Sequence, residues 1–197
     1  MKLRWIALFG LLAFFAQPAL AQKLKVEQGS TNILNGVSKM NISYDYSDMS
    51  VGKFKTEAEY ITKKKEEYNK KEAGKGDKWE ADWKADRTDR YAPQFEELFN
   101  KYCKIQVGDY PSERYTLIVK TTRTEPGYNI HISRKNAEID GEVWLVETAN
   151  PSVPLLKISF KKAVGRSFGG YDYDTGFRIQ EAYADLGKAL GKYLSKL

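Results

Sequence analysis

The sequence predicts an α+β fold: a mostly antiparallel sheet with helices packed on one face, plus a charged helical arm. Three observations carry this prediction. Segments in the middle and C-terminal half alternate apolar and polar residues with the period of a half-buried strand. Two further segments, one ahead of those strands and one closing the chain, repeat apolar residues at helical spacing. Residues 56–91 form a run dense in charge of both signs and punctuated by helix start signals.

The chain opens "MKLRWIALFGLLAFFAQPALAQ", in which Lys2 and Arg4 precede a short apolar run from Trp5 to Phe15 and "ALA" fills 19–21. A basic start, an apolar stretch and a small-x-small site are the parts of a secretory signal peptide, expected at 1–21 with cleavage after Ala21. The run falls short of the ~20 apolar residues a membrane span needs. No cysteine follows the cleavage site, so no lipid anchor and no transmembrane segment is expected in the mature chain. The expected location is exported, periplasmic or extracellular. Residues 22–197 form one expected domain, with the helical arm at about 56–91.

Two of the 32 basic residues lie in the leader and all 26 acidic ones lie beyond it, leaving +4 on residues 22–197. That mild excess identifies no polyanion, and an exported protein meets no genomic DNA, so no nucleic-acid partner is expected. Cys103 is the sole cysteine, which excludes an intramolecular disulfide. It borders the stripe Phe95, Leu98, Phe99 and Tyr102 and reads as a small buried apolar residue.

Within the arm, "TEAE" at 56–59 reads as a capping box, with Thr56 as cap and Glu59 reaching back. Gly74 suits the position past a helix end, and Asp77 suits a second cap. Glu66 and Lys70, Glu67 and Lys71, Glu80 and Lys84, and Asp86 and Arg90 are acid-before-base pairs at i, i+4. From Lys63 to Arg90 there are 10 basic and 8 acidic residues. A segment so nearly neutral reads as a solvated helix pair, not as a grip for a polyanion. Trp79 and Trp83 share a helical face. Packing against the domain is the first reading for both, and a platform for a sugar ring or a partner is the second.

Pro93 suits the first position of the next helix, whose stripe should dock on a sheet. In "SKMNISYDYS", Met40, Ile42, Tyr44 and Tyr46 fall on one strand face, as do Tyr115, Leu117 and Val119 in "RYTLIVKTT". "EPG" at 125–127 marks a turn into "YNIHIS", where Ile130 and Ile132 point one way and His131 the other. "AEIDGEVWLVET" and "LLKISFKK" are further strands, joined through "ANPSVP" as a turn. "TGFRIQEAYADLGKALGKYLSKL" is an amphipathic helix, with Asp174 or Thr175 as its cap.

The half from "YTLIVKTTRTEPGYNIHISRKNAEIDGEVWLVETANPSVPLLKISF" through "GRSFGGYDYDTGFRIQEAYADLGKALGKYL" resembles small envelope domains of Gram-negative bacteria. It is similar to the TolB N-terminal-like domains of the curli secretion lipoprotein and of uncharacterised exported proteins. The charged arm and the absent lipid-anchor cysteine depart from the lipoprotein members. The resemblance implies an α/β domain that assembles or recognises partners without catalysing a reaction.

Residues that carry chemistry are scarce. The sole histidine, His131, has no metal-ligand spacing around it and reads as a structural or surface residue. No cofactor, metal or catalytic residue is expected. "GRSFGGYDYDTG" at 165–176 is the best recognition loop: Gly169 and Gly170 allow unusual backbone angles, and Tyr171 and Tyr173 offer flat faces beside Asp172. Asp172 and Asp174 lack the Gly and Glu register of a calcium loop. The candidate ligand- or partner-binding residues are therefore Gly169, Gly170, Tyr171, Asp172, Tyr173, Trp79 and Trp83.

Two functions stand at this point. The first is an exported, non-catalytic binding or assembly domain of the envelope, its partner an envelope protein or a second copy of itself. The second is a glycan- or cell-wall-binding module, or a hydrolase acting there, suggested by 13 tyrosines, four tryptophans and slight positive charge. A concave cleft with two facing acids and exposed aromatics is the feature that favours the second.

Overall fold

The computed structural model describes residues 23–130, 132–165 and 174–196. The expected leader, His131 and the glycine loop residues Gly169, Gly170, Tyr171, Asp172 and Tyr173 lie outside the described residues. The fold is α+β. A seven-stranded, mostly antiparallel sheet has the order β1-β9-β8-β5-β2-β4, with β3 also on β5. Its strands are β1 (Lys23–Gln28), β2 (Lys39–Asp45), β3 (Ser50–Val51), β4 (Gln106–Gly108), β5 (Tyr115–Glu125), β8 (Ala137–Glu147) and β9 (Asn150–Gly165). The long ladders β5–β8, β8–β9 and β9–β1 are antiparallel, whereas β2 runs parallel to both β5 and β4.

Strand alternation sets the core. Leu117 and Val119 of β5, Ile139, Val143 and Leu145 of β8, and Leu156, Ile158 and Phe160 of β9 are buried on one face. Helices α3 (Ala92–Tyr102) and α4 (Thr175–Leu194) cover that face. Phe95 and Phe99 of α3, and Ile179, Tyr183, Leu186 and Leu190 of α4, are buried there as their spacing predicts. The stripe of α3 meets both the sheet, where the Phe95 ring stands edge-on to Tyr44, and α4. A Cβ on Gly187 would lie 2.3 Å from the Phe95 carbonyl oxygen, so the close approach of the two helices requires glycine there. Cys103 is buried, and burial raises its thiol pKa.

The arm is α1 (Glu57–Asn69) packed on α2 (Lys75–Asp86). Thr56 caps α1, accepting from the Glu59 N–H, and Glu59 reaches back to the Lys55 N–H. Gly74 does not close α1, which ends at Asn69; at φ 81° it instead precedes the first residue of α2. Asp77 is accordingly inside the first turn of α2, not its cap, and binds Asn69 and Lys65 across the pair. Of the four expected ion pairs, Glu80–Lys84 and Asp86–Arg90 form. Lys65 instead bridges α1 to Asp77 and Glu80 of α2, a contact that one-helix spacing does not reveal.

Three further expectations change. Pro93 follows no fresh start, because a π-helical turn at Arg87–Tyr91 joins α2 to α3 directly. "YNIHIS" adds no strand to the core sheet: β6 (Tyr128–Ile130) pairs only with β7 (Ser133–Lys135) in a separate ribbon. There Ile130 is 56% and Ile132 is 92% exposed. Pro126 lacks an N–H and Gly127 takes φ 64°, which together lead the chain off the main ladder. "ANPSVP" is largely strand, since β9 begins at Asn150, and its prolines sit where the β8–β9 register slips. β1 and β4 complete the sheet although neither was expected.

Candidate functional site

The aromatic residues of the arm form one cluster. Trp79 and Trp83 stack with ring centroids 5.7 Å apart and planes 26° apart, as i, i+4 spacing allows. Tyr60 of α1 stands against both, at 5.6 Å from Trp79 and 5.1 Å from Trp83, and Tyr68 lies 5.8 Å from Trp79. Trp83 is 5% exposed, and its Nε1 donates to Glu57 Oε1 at 2.6 Å. The same Glu57 oxygen accepts from Arg87, whose guanidinium lies 4.2 Å from the Tyr46 ring centroid. The packing role therefore describes Trp83. Trp79 packs on the core among Tyr60, Tyr68 and Trp83 and is partly buried.

The Trp79 ring lines two adjoining hollows. One, of about 640 Å³, lies between α2 and the start of α4 and is bordered by Trp79, Trp83, Asp86, Arg90 and Asp174. The other, of about 400 Å³, lies between the arm and the β6–β7 ribbon and is bordered by Phe54, Lys64, Trp79, Tyr128, Ile130 and Arg178. Tyr68, Trp79 and Thr175 border both, so the two hollows adjoin at these residues.

The hollow between α2 and α4 is built around Arg90. Its Nε is 3.0 Å from Asp86 Oδ1 and its Nη1 donates to Asp174 Oδ2 at 2.6 Å. Asp174 also caps α4, its Oδ1 accepting from the Phe177 N–H at 3.1 Å. Burial raises the Asp86 pKa, and the negative charges of Asp174, Asp82 and Asp89 add to this against the pull of Arg90. For Asp174, burial also pushes upward, but the hydrogen bonds from Arg90 and Phe177 outweigh it and hold the carboxyl below its ordinary value. Asp86 packs closely against the second residue of α4: a Cβ on Gly176 would lie 2.0 Å from Asp86 Oδ2.

The hollow thus has two acids facing one another across a guanidinium, beside the partly buried rings of Tyr68 and Trp79. The structure brings Trp79, Trp83 and the cap residue Asp174 together; the glycine loop residues before that cap lie outside the described residues. The role of Arg90 was not legible, because its two carboxylates stand 84 residues apart on one side and four on the other. The i, i+4 pair with Asp86 was the only sequence signal.

Both carboxylates are engaged by Arg90, Asp86 through Oδ1 and Asp174 through Oδ2. No cluster of metal-binding side chains occurs among the described residues. Residues 165–169, GRSFG, spell G-x-S-x-G. Ser167 lies outside the described residues, and the helix described after it starts at Thr175, so no nucleophile elbow is assigned. No helix among the described residues is long and apolar enough to cross a membrane.

No family model matches the chain, TolB N-terminal-like domains included, and no curated protein matches it. Among solved structures it is similar to the PelC dodecamer from Paraburkholderia phytofirmans, at 12% identity over 84% of this chain and 97% of that one, with a TM-score of 0.37. A PelC variant dodecamer from the same organism gives 11% identity, coverage of 84% and 98%, and a TM-score of 0.36. Likeness this loose assigns neither a family nor an activity, and the functional reading rests on the cleft.

Proposed function

We propose that the chain is an exported, non-catalytic binding module of the bacterial cell envelope, and that its ligand is a glycan chain laid along the Trp79 cleft. Binding or assembly in the envelope is the wider class; the cleft favours glycan within it. The observation that carries the reading is the partly buried Trp79 ring at the junction of two hollows, with polar groups in each. Sugar rings present C–H faces that stack on an indole and hydroxyls that need hydrogen-bond partners. Tyr68 and Trp79 supply the flat surface, while Asp86, Arg90, Asp174 and Lys64 supply partners around it.

The test is titration of residues 22–197 with neutral oligosaccharides, chitin-derived and cellulose-derived, followed by tryptophan fluorescence, alongside co-pelleting with isolated cell wall. Saturable binding that falls about tenfold or more in Trp79→Ala, the loss expected for one stacked ring, supports the reading. Wild-type protein that stays in the supernatant and shows no fluorescence change with any oligosaccharide refutes it. Release of new reducing ends would refute the non-catalytic part alone.

A further inference from the structure

The face of the sheet opposite the helices carries a second arrangement, built from different residues. Trp144 on β8 points to that open face, between the buried Val143 and Leu145, and is half-exposed. Its backbone partner on β9 is Lys157, whose Nζ lies 4.2 Å from the indole centroid. Lys120 of β5 brings a second ammonium to 4.4 Å of the same centroid. The indole Nε1 donates to Glu142 Oε2 at 2.6 Å, which fixes the ring.

Charge on this face is unevenly matched. Lys120 pairs with Asp45, Arg123 with Asp140, and Lys25 with Glu27. Lys157 and Lys161 of β9 have no ion pair among the described residues. Both alternate with the buried Ile158 and Phe160 and so share the open face, about 13 Å apart along the strand. Two lysines outside the ion pairs thus flank Ser159 on β9, which bonds Glu27, beside an aromatic ring already clasped by two ammonium groups.

We propose that this open face is a second binding surface, and that it takes a carboxylated polysaccharide running along β9 past Trp144. Carboxylates spaced along the chain meet Lys161 and Lys157 in turn, and sugar C–H groups rest on the exposed edge of the indole. Charge complementarity selects an anionic chain over a neutral one. The matched ion pairs across the rest of the face give a lipid surface neither an apolar insertion nor a uniform positive field.

The experiment is retention of residues 22–197 on immobilised polygalacturonate, with dextran as the neutral polymer and phosphatidylglycerol vesicles as the anionic lipid surface. Expected is retention on polygalacturonate alone, weakened steeply by added salt as the bound cations are screened. The double variant Lys157→Gln/Lys161→Gln and the variant Trp144→Phe should each reduce affinity about tenfold with unchanged circular dichroism, the scale of one or two lost charge contacts. Lys188→Gln, on the helical side, and Trp79→Ala, in the cleft, should bind as wild type. Equal retention on dextran, stronger capture by vesicles, or an equal loss in Lys188→Gln overturns the proposal. Because Trp79→Ala probes the cleft alone, failure here leaves the neutral-glycan reading standing.

Discussion

Trp79 and Trp83 stack on one another 5.7 Å apart, yet only Trp83 is sealed from solvent, with its indole N–H held by Glu57. One turn of helix thus separates a fully buried anchoring ring from a partly buried ring that borders two hollows. The two should respond differently to truncation. Trp83→Ala should cost about 3–5 kcal/mol of stability, as for other buried aromatics. Trp79→Ala should keep most of the stability and lose ligand binding. Urea unfolding of both variants, set against the fluorescence titrations, checks the division; equal destabilisation by both would refute it.

The buried hydroxyls of Thr121 and Tyr183 lie 2.6 Å apart beneath α4. Removing either one takes this hydrogen bond from the other in the core. Tyr183→Phe and Thr121→Val should each cost about 1–3 kcal/mol, while the double variant should recover part of the sum. A double-mutant cycle by chemical denaturation measures the coupling, and simple additivity would mean the contact is not energetically shared.

Acid sensitivity should run partly through Asp45. Burial pushes its pKa up, but the hydrogen bonds from Lys120 and Ser47 outweigh it and bring the carboxyl from 3.8 to about 2. A folded-state pKa below the unfolded one means that its contribution is present above pH 3.8 and disappears as pH falls toward 2. Thermal melting of Asp45→Asn between pH 2 and neutrality should therefore show a shallower acid limb than wild type, with the two curves converging at the lowest pH. Parallel curves would assign the acid loss elsewhere.

Gly187 sits where α4 comes closest to α3, its missing side chain facing the Phe95 carbonyl. Gly187→Ala should push the helices apart and cost about 1–3 kcal/mol, although alanine is the better helix former. Guanidinium denaturation reads the change directly. An unchanged or raised midpoint would show that the helix pair can shift at no expense.

Much of this architecture was legible because burial leaves a periodic trace. The stripes of α3 and α4 and the alternation in β2, β5 and β8 each announce a face, and Thr56 and Asp174 announce their caps by type and spacing. What stayed hidden depends on partners distant in sequence. β1 has only Leu24 and Val26 to signal a strand and gains its status from β9 more than a hundred residues later. The β6–β7 ribbon alternates like a core strand, yet Ile130 and Ile132 face solvent, because periodicity reports amphipathicity and not which layer receives it. The cleft shows the same split: the tryptophan pair was visible as a helical face, whereas the guanidinium that joins Asp86 to Asp174 exists only once α2 and α4 converge.

The five-residue π turn at Arg87–Tyr91 acts as a phase adjuster. One added residue rotates everything after it by about 100° relative to an uninterrupted α-helix. Upstream, Trp83 faces α1; downstream, Tyr91 lies flat against Tyr183 of α4, with centroids 5.1 Å apart and planes 4° apart. A single continuous rod thereby serves two neighbours lying in different directions. Any insertion or deletion between Trp83 and Tyr91 would leave both halves helical and yet turn one of them away from its mate, so the length of this junction, more than its composition, couples the arm to the body of the protein.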